Sequence, residues 1–271
     1  MNALRILRCI LYKNECWGRH HADHLEPSGI TVHSTDPAQG WLWRFVQPFD
    51  GQTEGLADGD EPVTAAQMLD LLGVNSYGTA WNKPGVYKCV HAFLGKLRDG
   101  SYAVAETLDL TQPCWGGAFG SKGSYDGRVK KDGQNVAGGT LHINFEMIED
   151  EKAVHDRAHC KALYELAVAY CVHLCRRFPT IRVENIVSHK EAAAKGYASD
   201  HGDPESYWAR CGTGYTMEGF RADVRAALQA DEESIVYRVQ VGAFRVRAYA
   251  EAMLAKVREH FPEAYIAKGT K

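Results

Sequence analysis

Three side chains, far apart in the chain, have the types that hold a catalytic metal: His33 at the end of ITVH, His189 at the end of IVSH, and Asp203 in DHGDP. A zinc centre that hydrolyses an amide needs three protein ligands from His, Asp, Glu or Cys, with a fourth position left for water. Strand ends and the loops beside them suit such ligands, because a sheet fixes their geometry. Asp203 follows His189 by fourteen positions, enough to cross a short helix, KEAAAK, and return on a glycine-containing loop. Glu146, near the C-terminal end of TLHINFEMI, offers a carboxylate that could act as general base. His201, two residues before Asp203, could donate a hydrogen bond to a polarised carbonyl or, more plainly, orient Asp203. Each residue alone has an ordinary structural explanation. Their combination points to metal-assisted hydrolysis.

Those residues need a scaffold, and the sequence supplies one. GITVHST (29–35) reads as a short β-branched strand, and TAAQMLDLLG (64–73) as a helix capped by Thr64 and closed by Gly73. GVYKCVHAFLG and SYAVAETLDL are strand-like runs joined by KLRDGS, whose Asp-Gly makes a hairpin turn. Residues 114–139 are rich in Gly, Ser and Lys without periodicity, which predicts a functional loop. TLHINFEMI (140–148) alternates as a strand. An amphipathic helix is expected from Glu151 to Phe178, ended by Pro179, then a strand in RVENIVSH. Within SHKEAAAKGYASDHGDPESYW (188–208), Lys190, Glu191 and Lys195 read as the outward face of a short helix, and Glu205 as an early helix residue after Pro204. Strands alternating with helices imply an α/β class, a central mixed β-sheet flanked by helices.

The composition narrows the function. The chain has 271 residues, 45% of them apolar, and a formal net charge of −3. Its Lys and Arg residues are scattered, so no field gathers nucleic acid and none is expected as a partner. The N-terminal MNALRILRCILYKNECW has its apolar run broken by Arg5, Arg8 and Lys13 and is not read as a signal peptide. No stretch approaches the roughly 18 apolar residues of a membrane span, so no membrane insertion is expected. Eight cysteines without a CxxC pair read as reduced, buried thiols.

Other histidines compete for attention. His155 and His159 stand at i, i+4, but Asp156 occupies the place where the zinc-protease pattern needs Glu. His20, His21 and His24 read as a solvated loop. His91 and His142 lie in strands expected to border the site, His91 as a candidate substrate contact. Trp115, beside Gly116 and Gly117, is a second such candidate, since sugar rings bind well on aromatic faces.

GITVHST, WNKPGVYKCVHAFLGKLRDGSYAVAETL, HINFEM and IVSHKEAAAKGYASDHGDPESYW together resemble the zinc-dependent N-acetylmuramoyl-L-alanine amidases of the type-2 amidase family. Phage endolysins and peptidoglycan recognition proteins share that fold. The likeness runs over residues 5–215 and is nearest the endolysin branch. It implies one zinc per chain, held by His33, His189 and Asp203, with Glu146 handling the proton of the attacking water. It also implies cleavage of the amide between N-acetylmuramic acid and L-alanine in bacterial peptidoglycan. Many relatives carry lysine where this chain has His201. A phage or prophage lysin needs no signal peptide, because a membrane pore gives it passage to the wall. Two rival readings stay open on the residues alone: a non-catalytic peptidoglycan binder on the same fold, and a zinc peptidase cutting within the stem peptide.

The predicted division is a catalytic domain at 1–230, a linker at 231–236 and a small C-terminal βαβ unit at 237–271. In that unit YRVQVGAF is the first strand, RAYAEAMLAKVREHF the helix and EAYIA the second strand. The segment resembles half of a SPOR domain, a module that binds peptidoglycan glycan. The resemblance implies wall targeting, with Gln240 and Phe244 as contacts, or pairing of two copies into a homodimer.

Overall fold

In this computed structural model the described residues are 4–36, 40–47, 50–76, 78, 80–127, 140–151, 156–234 and 243–266. The chain forms two compact units, Met1–Gln229 and Ala230–Lys271. The first contains, in order, β1 (Ile6–Cys9), α1 (Glu15–His20), β2 (Gly29–Ser34), α2 (Trp43–Val46), β3 (Leu56–Asp58), β4 (Glu61–Pro62), α3 (Ala65–Leu72), β5 (Ala92–Lys96), β6 (Tyr102–Glu106), β7 (His142–Met147), α4 (Arg157–Arg177), β8 (Ile186–Ser188), α5 (His189–Lys195) and α6 (Glu205–Arg210). A further helix, α7, spans Met217–Ser234, and α8 (Arg247–Arg258) belongs to the second unit.

The eight strands make one mixed sheet in the order β4-β3-β1-β6-β5-β7-β2-β8, flanked by helices as expected. The pairs β5–β7, β7–β2 and β2–β8 are parallel, and β5–β6 is the antiparallel hairpin read from the sequence. Its turn uses Gly100 at φ +85°, a left-handed backbone that glycine adopts without strain. Helix α3 has the forecast cap: Thr64 and Gln67 make a reciprocal capping box, and Gly73 ends the helix.

Period-two alternation divides the sheet into two chemistries. On one face Ile30, Val32, Ile143, Phe145 and Met147 pack with Leu163, Ala167, Tyr170 and Leu174 of α4 and with Phe220 of α7. The opposite side of β2 and β7 carries Thr31, His33, His142, Asn144 and Glu146, all alternating with that apolar set. A second cluster, including Leu7, Phe45, Met68, Leu72 and Phe93, closes the other face further along the sheet.

Several boundaries differ from expectation. Helix α4 is described from Arg157, with Asp156 as its N-cap accepting from the His159 amide, and residues 152–155, including His155, lie outside the described residues. The run GVYKCVHAFLG is a strand only from Ala92; before that, Cys89 forms an isolated bridge with Trp115. Strand β1 lies within the basic N-terminal stretch, where Leu7 and Cys9 are fully buried between β3 and β6. His20 is no solvated loop residue: it is buried and bonds the Tyr87 hydroxyl at 2.9 Å. All eight cysteines are free and seven are buried, as the spacing suggested. In the second unit YRVQVGAF falls largely outside the described residues, and Ala264–Ile266 form no strand, which corrects the reading of EAYIA. No described helix is long and apolar enough to cross a membrane.

Phe145 joins the sheet to α4, edge-on to Tyr170 at 5.6 Å, next to Glu146 in sequence. Phe145→Ala is expected to cost about 3–5 kcal/mol, read as a lower urea midpoint. A loss below about 1 kcal/mol would place the stabilising core elsewhere.

Candidate metal centre

His33 is the last but one residue of β2, and the parallel register with β7 sets it opposite Glu146. On the other side of β2, Val32 pairs with Ser188, so His189 begins α5 one residue beyond the ladder. Ser188 caps that helix reciprocally with Glu191, and Gly196 ends it in a left-handed conformation at φ 86°. Glu191 also pairs with both terminal nitrogens of Arg221, at 2.8 and 3.0 Å, so it is a buttress of α5 and not part of an outward face. The chain then returns to Asp203, whose Oδ2 accepts from the Ser34 amide at 3.1 Å. Glu205 opens α6 after Pro204, as read, and accepts from the Ser188 hydroxyl at 2.8 Å.

These elements bring the three predicted ligands together. Nδ1 of His33 and Nδ1 of His189 stand 3.0 Å apart, with Asp203 oxygens at 3.6 Å from the first and 3.5 Å from the second. The donor atoms all lie within 4.8 Å of one another, and no other such group of three occurs among the described residues.

The donor set fits a divalent cation for a specific reason. His33 Nε2 is 2.8 Å from Asn144 Oδ1, an acceptor, so that nitrogen keeps its hydrogen and Nδ1 presents a lone pair once the ring gives up its second proton. Asn144 is itself fixed, since its amide nitrogen donates to the His142 carbonyl and its backbone N–H to His91 Nδ1. His189 Nε2 faces the Ser199 hydroxyl at 3.3 Å, and that hydroxyl also bonds the Gly117 carbonyl. Two imidazole lone pairs and a carboxylate directed at one point form a cation site, with partners that fix each ring.

The charges agree. Burial disfavours a charged His33, but Asp203 and Glu146 outweigh it and push its pKa up to about 9. Burial, then the neighbouring His33 charge, lowers His189 to about 4. Asp203 is held below the usual carboxylate range despite its burial, because both histidines favour its ionised form. Burial pushes Glu146 up to about 8, and its Oε2 has no hydrogen-bond partner among the described residues.

Glu146, His189, His201, Asp203 and Trp115 line one groove of about 440 Å³. The His201 ring lies flat on that of His189, centroids 4.6 Å apart, with its side chain 60% exposed. Its Nδ1 is 3.8 Å from Asp203, too far for a hydrogen bond. Two residues expected at the border are elsewhere. His91 is fully buried, donating through Nε2 to the Gln112 carbonyl and accepting from Asn144, which leaves no substrate contact. His142 pairs with Gly29 at the opposite end of the strands and stacks on Tyr125. Gln240 lies outside the described residues, whereas Phe244 is exposed in the second unit.

The sequence reading missed Asn144, Ser199 and the Glu149–Arg210 pair. Parity held a clue to the first, since Asn144 stands two before Glu146 and must share its face. Ser199 had no such signal.

The family model for the SPOR domain matches residues 233–271. The C-terminal segment is SPOR-like. No characterised protein matches the chain by sequence. Among solved structures the chain is similar to Staphylococcus aureus hydrolase AmiA in complex with its ligand, at 15% identity over 78% of this chain and 77% of that one, with a TM-score of 0.44. It is also similar to the PlyG catalytic domain (13% identity, 82% and 94% covered, TM-score 0.42) and to PlyL (15%, 82% and 96%, TM-score 0.42). At these identities the likeness is one of chain path.

To hold a cation here, His33 would have to give up the proton that its raised pKa, about 9, lets it keep at neutral pH. Affinity should therefore weaken by about tenfold for each pH unit lowered between pH 8 and 6, with at least one proton released per zinc bound. Calorimetry in buffers of different ionisation enthalpy measures both, and pH-independent binding over that range would show that His33 gives up no proton on binding. Asn144→Ala should weaken zinc binding by about 10- to 100-fold, the usual effect of losing a ligand's orienting partner.

Proposed function

We propose that the chain is a zinc-dependent peptidoglycan amidase that hydrolyses the bond between the lactyl group of N-acetylmuramic acid and the L-alanine of the stem peptide. The observation that carries this reading is the clustered donor set with Glu146 in the same groove, whose buried Oε2 has no hydrogen-bond partner among the described residues. A purely binding protein has no use for a base beside three metal-type donors. The sequence resemblance names the bond.

When bound, zinc supplies an acidified water and polarises the scissile carbonyl. Glu146 takes the proton of the attacking water. Burial raises its pKa to about 8, close to neutrality, where a general base is most effective. The same carboxyl then returns the proton to the leaving L-alanine nitrogen. His201, exposed at the groove and stacked on His189, donates a hydrogen bond to the carbonyl oxygen as charge builds there. Asn144, Ser199 and Ser34 take no part in proton transfer; they hold His33, His189 and Asp203 in position. Trp115, half-buried against Tyr87 and Phe119, offers a flat wall for sugar or peptide.

The chain acts on the wall as a phage or prophage endolysin, reaching it through a membrane pore or by lysis, or as a bacterial autolysin. The SPOR-like segment serves wall targeting, with Gln240 and Phe244 as contacts, or pairs two copies of the chain. Deleting residues 235–271 should lower wall binding in pull-down or shift the oligomeric state in light scattering; no change in either would leave the segment without this role.

The wild-type protein should release new L-alanine amino termini from purified peptidoglycan without new reducing sugars. Glu146→Gln should keep its zinc and lose about 10²- to 10⁴-fold in kcat. Normal turnover by this variant would overturn the assignment. New amino termini within the stem peptide would replace the amidase by a peptidase.

A further inference from the structure

The groove that holds the metal-type donors continues past them to a wall of a different character. Arg44, Lys83 and Lys88 line it there, with Trp81 and Phe45. Outside the donor cluster and Glu146, Asp36 is the carboxylate that faces them among the described lining residues. The groove is thus locally cationic on a chain whose formal net charge is −3.

These cations are held in place. Asn14, 1% exposed, donates to the carbonyls of both Trp81 and Lys88, at 3.0 and 3.1 Å. The Glu15 amide donates to the Val86 carbonyl, and the Gly85 amide donates to the Glu15 carboxylate. The loop from Trp81 to Lys88 is therefore tied to the start of α1 along its length. Trp81 packs edge-on to Phe45 and Phe93, with centroids 5.2 and 5.1 Å away. Lys88 Nζ lies over the Trp81 ring at 5.3 Å, and the Arg44 guanidinium over Phe45 at 4.5 Å. Lys83 and Lys88 are exposed, while Arg44 is 8% exposed and donates to the Asp36 carbonyl. The Lys83 ammonium donates to the Gly78 carbonyl at 3.1 Å, and cations on an anchored loop in a concave groove suit an extended anionic chain.

We propose that Arg44, Lys83 and Lys88 receive a free carboxylate of the peptide arm, so that the enzyme selects stem peptides with unblocked carboxylates over the same peptides carrying carboxamides. This rests on the amidase reading and adds its substrate class. Lys83 and Lys88 are the specificity-determining residues, and neither touches the donor cluster. A carboxamide keeps the shape of a carboxylate and loses the charge, so discrimination falls on those two ammonium groups and on Arg44.

The test uses the full-length protein and two soluble muramoyl peptides that differ only in carboxylate against carboxamide. The wild type should show a kcat/KM about three- to tenfold higher on the carboxylate form, the scale of partly exposed charge pairs. That ratio should shrink as salt rises. Lys83→Gln/Lys88→Gln should lower kcat/KM more on the carboxylate form than on the carboxamide form, bringing the ratio toward one. Calorimetric binding of both peptides to Glu146→Gln should show the same preference without turnover. Equal wild-type rates on the two peptides, or an equal loss on both in the double variant, would overturn the proposal while leaving the amidase reading intact. If neither peptide yields an L-alanine amino terminus, the amidase reading falls and the proposal with it. If the soluble peptides are cut alike while stripping phosphate polymers from whole walls lowers activity, the cations read phosphate and the proposal fails.

Discussion

The register between β2 and β7 is the constraint on which the rest of the site depends. Parallel pairing sets His33 beside Glu146 and Thr31 beside Asn144, and because side chains alternate, all four share the face turned away from α4. A slip of one residue would send His33 into the apolar layer with Tyr170 and bring Val32 to the groove. The apolar partners make such a slip costly, since Ile30, Val32, Ile143, Phe145 and Met147 would all leave the core together. The same packing that stabilises the sheet therefore determines which atoms meet at the metal centre.

Polar groups on that face are buried, and an unpaired buried polar atom is expensive. The structure meets the cost by a chain of hydrogen bonds: His33 to Asn144, Asn144 to His91, and His91 to the Gln112 carbonyl. Burial depresses the pKa of His91 to about 4, so this link stays neutral and the chain carries no charge into the core. Glu146 and Asp126 each retain an oxygen without a hydrogen-bond partner among the described residues, and burial raises both pKa values. Glu146 faces the groove, where such an oxygen has a use. Asp126 instead accepts from the Gly117 amide and ties down the loop that carries Trp115.

How much of this could be read from the sequence follows from the range of each signal. The three clustered side chains, Glu146 and the strands that bear them were legible because β-branched runs and their polar ends are local patterns, as was the cap of α3. His91 was misplaced because its strand-like pattern could not tell the groove side from the core. Strand β1 was hidden because its charged neighbours, Arg5 and Arg8, broke the apolar run, although Arg5 pairs with Asp58 of β3. His20 was misjudged because its burial depends on Tyr87, sixty-seven positions away. Ser199 and Arg210 could not be found at all, since their roles rest on partners, His189 and Glu149, that only the folded chain brings near.

Asp203 poses the sharpest mechanical question, for it is a loop residue asked to stand as still as two histidines at strand ends. Its carboxylate is caught by the Ser34 amide at the end of β2, and the hydroxyl of that same serine bonds Glu149 at 2.6 Å. Glu149 in turn pairs with Arg210 at the far end of α6, the helix that begins two residues after Asp203. At the near end of α6, Glu205 bonds the Ser188 cap of α5, and the Lys190 amide reaches the Asp203 carbonyl. The loop is thus clamped to the ends of β2 and β8 on both sides of the ligand. A side chain delivered by irregular backbone acquires the placement of one delivered by the sheet, which is what a preorganised metal centre requires.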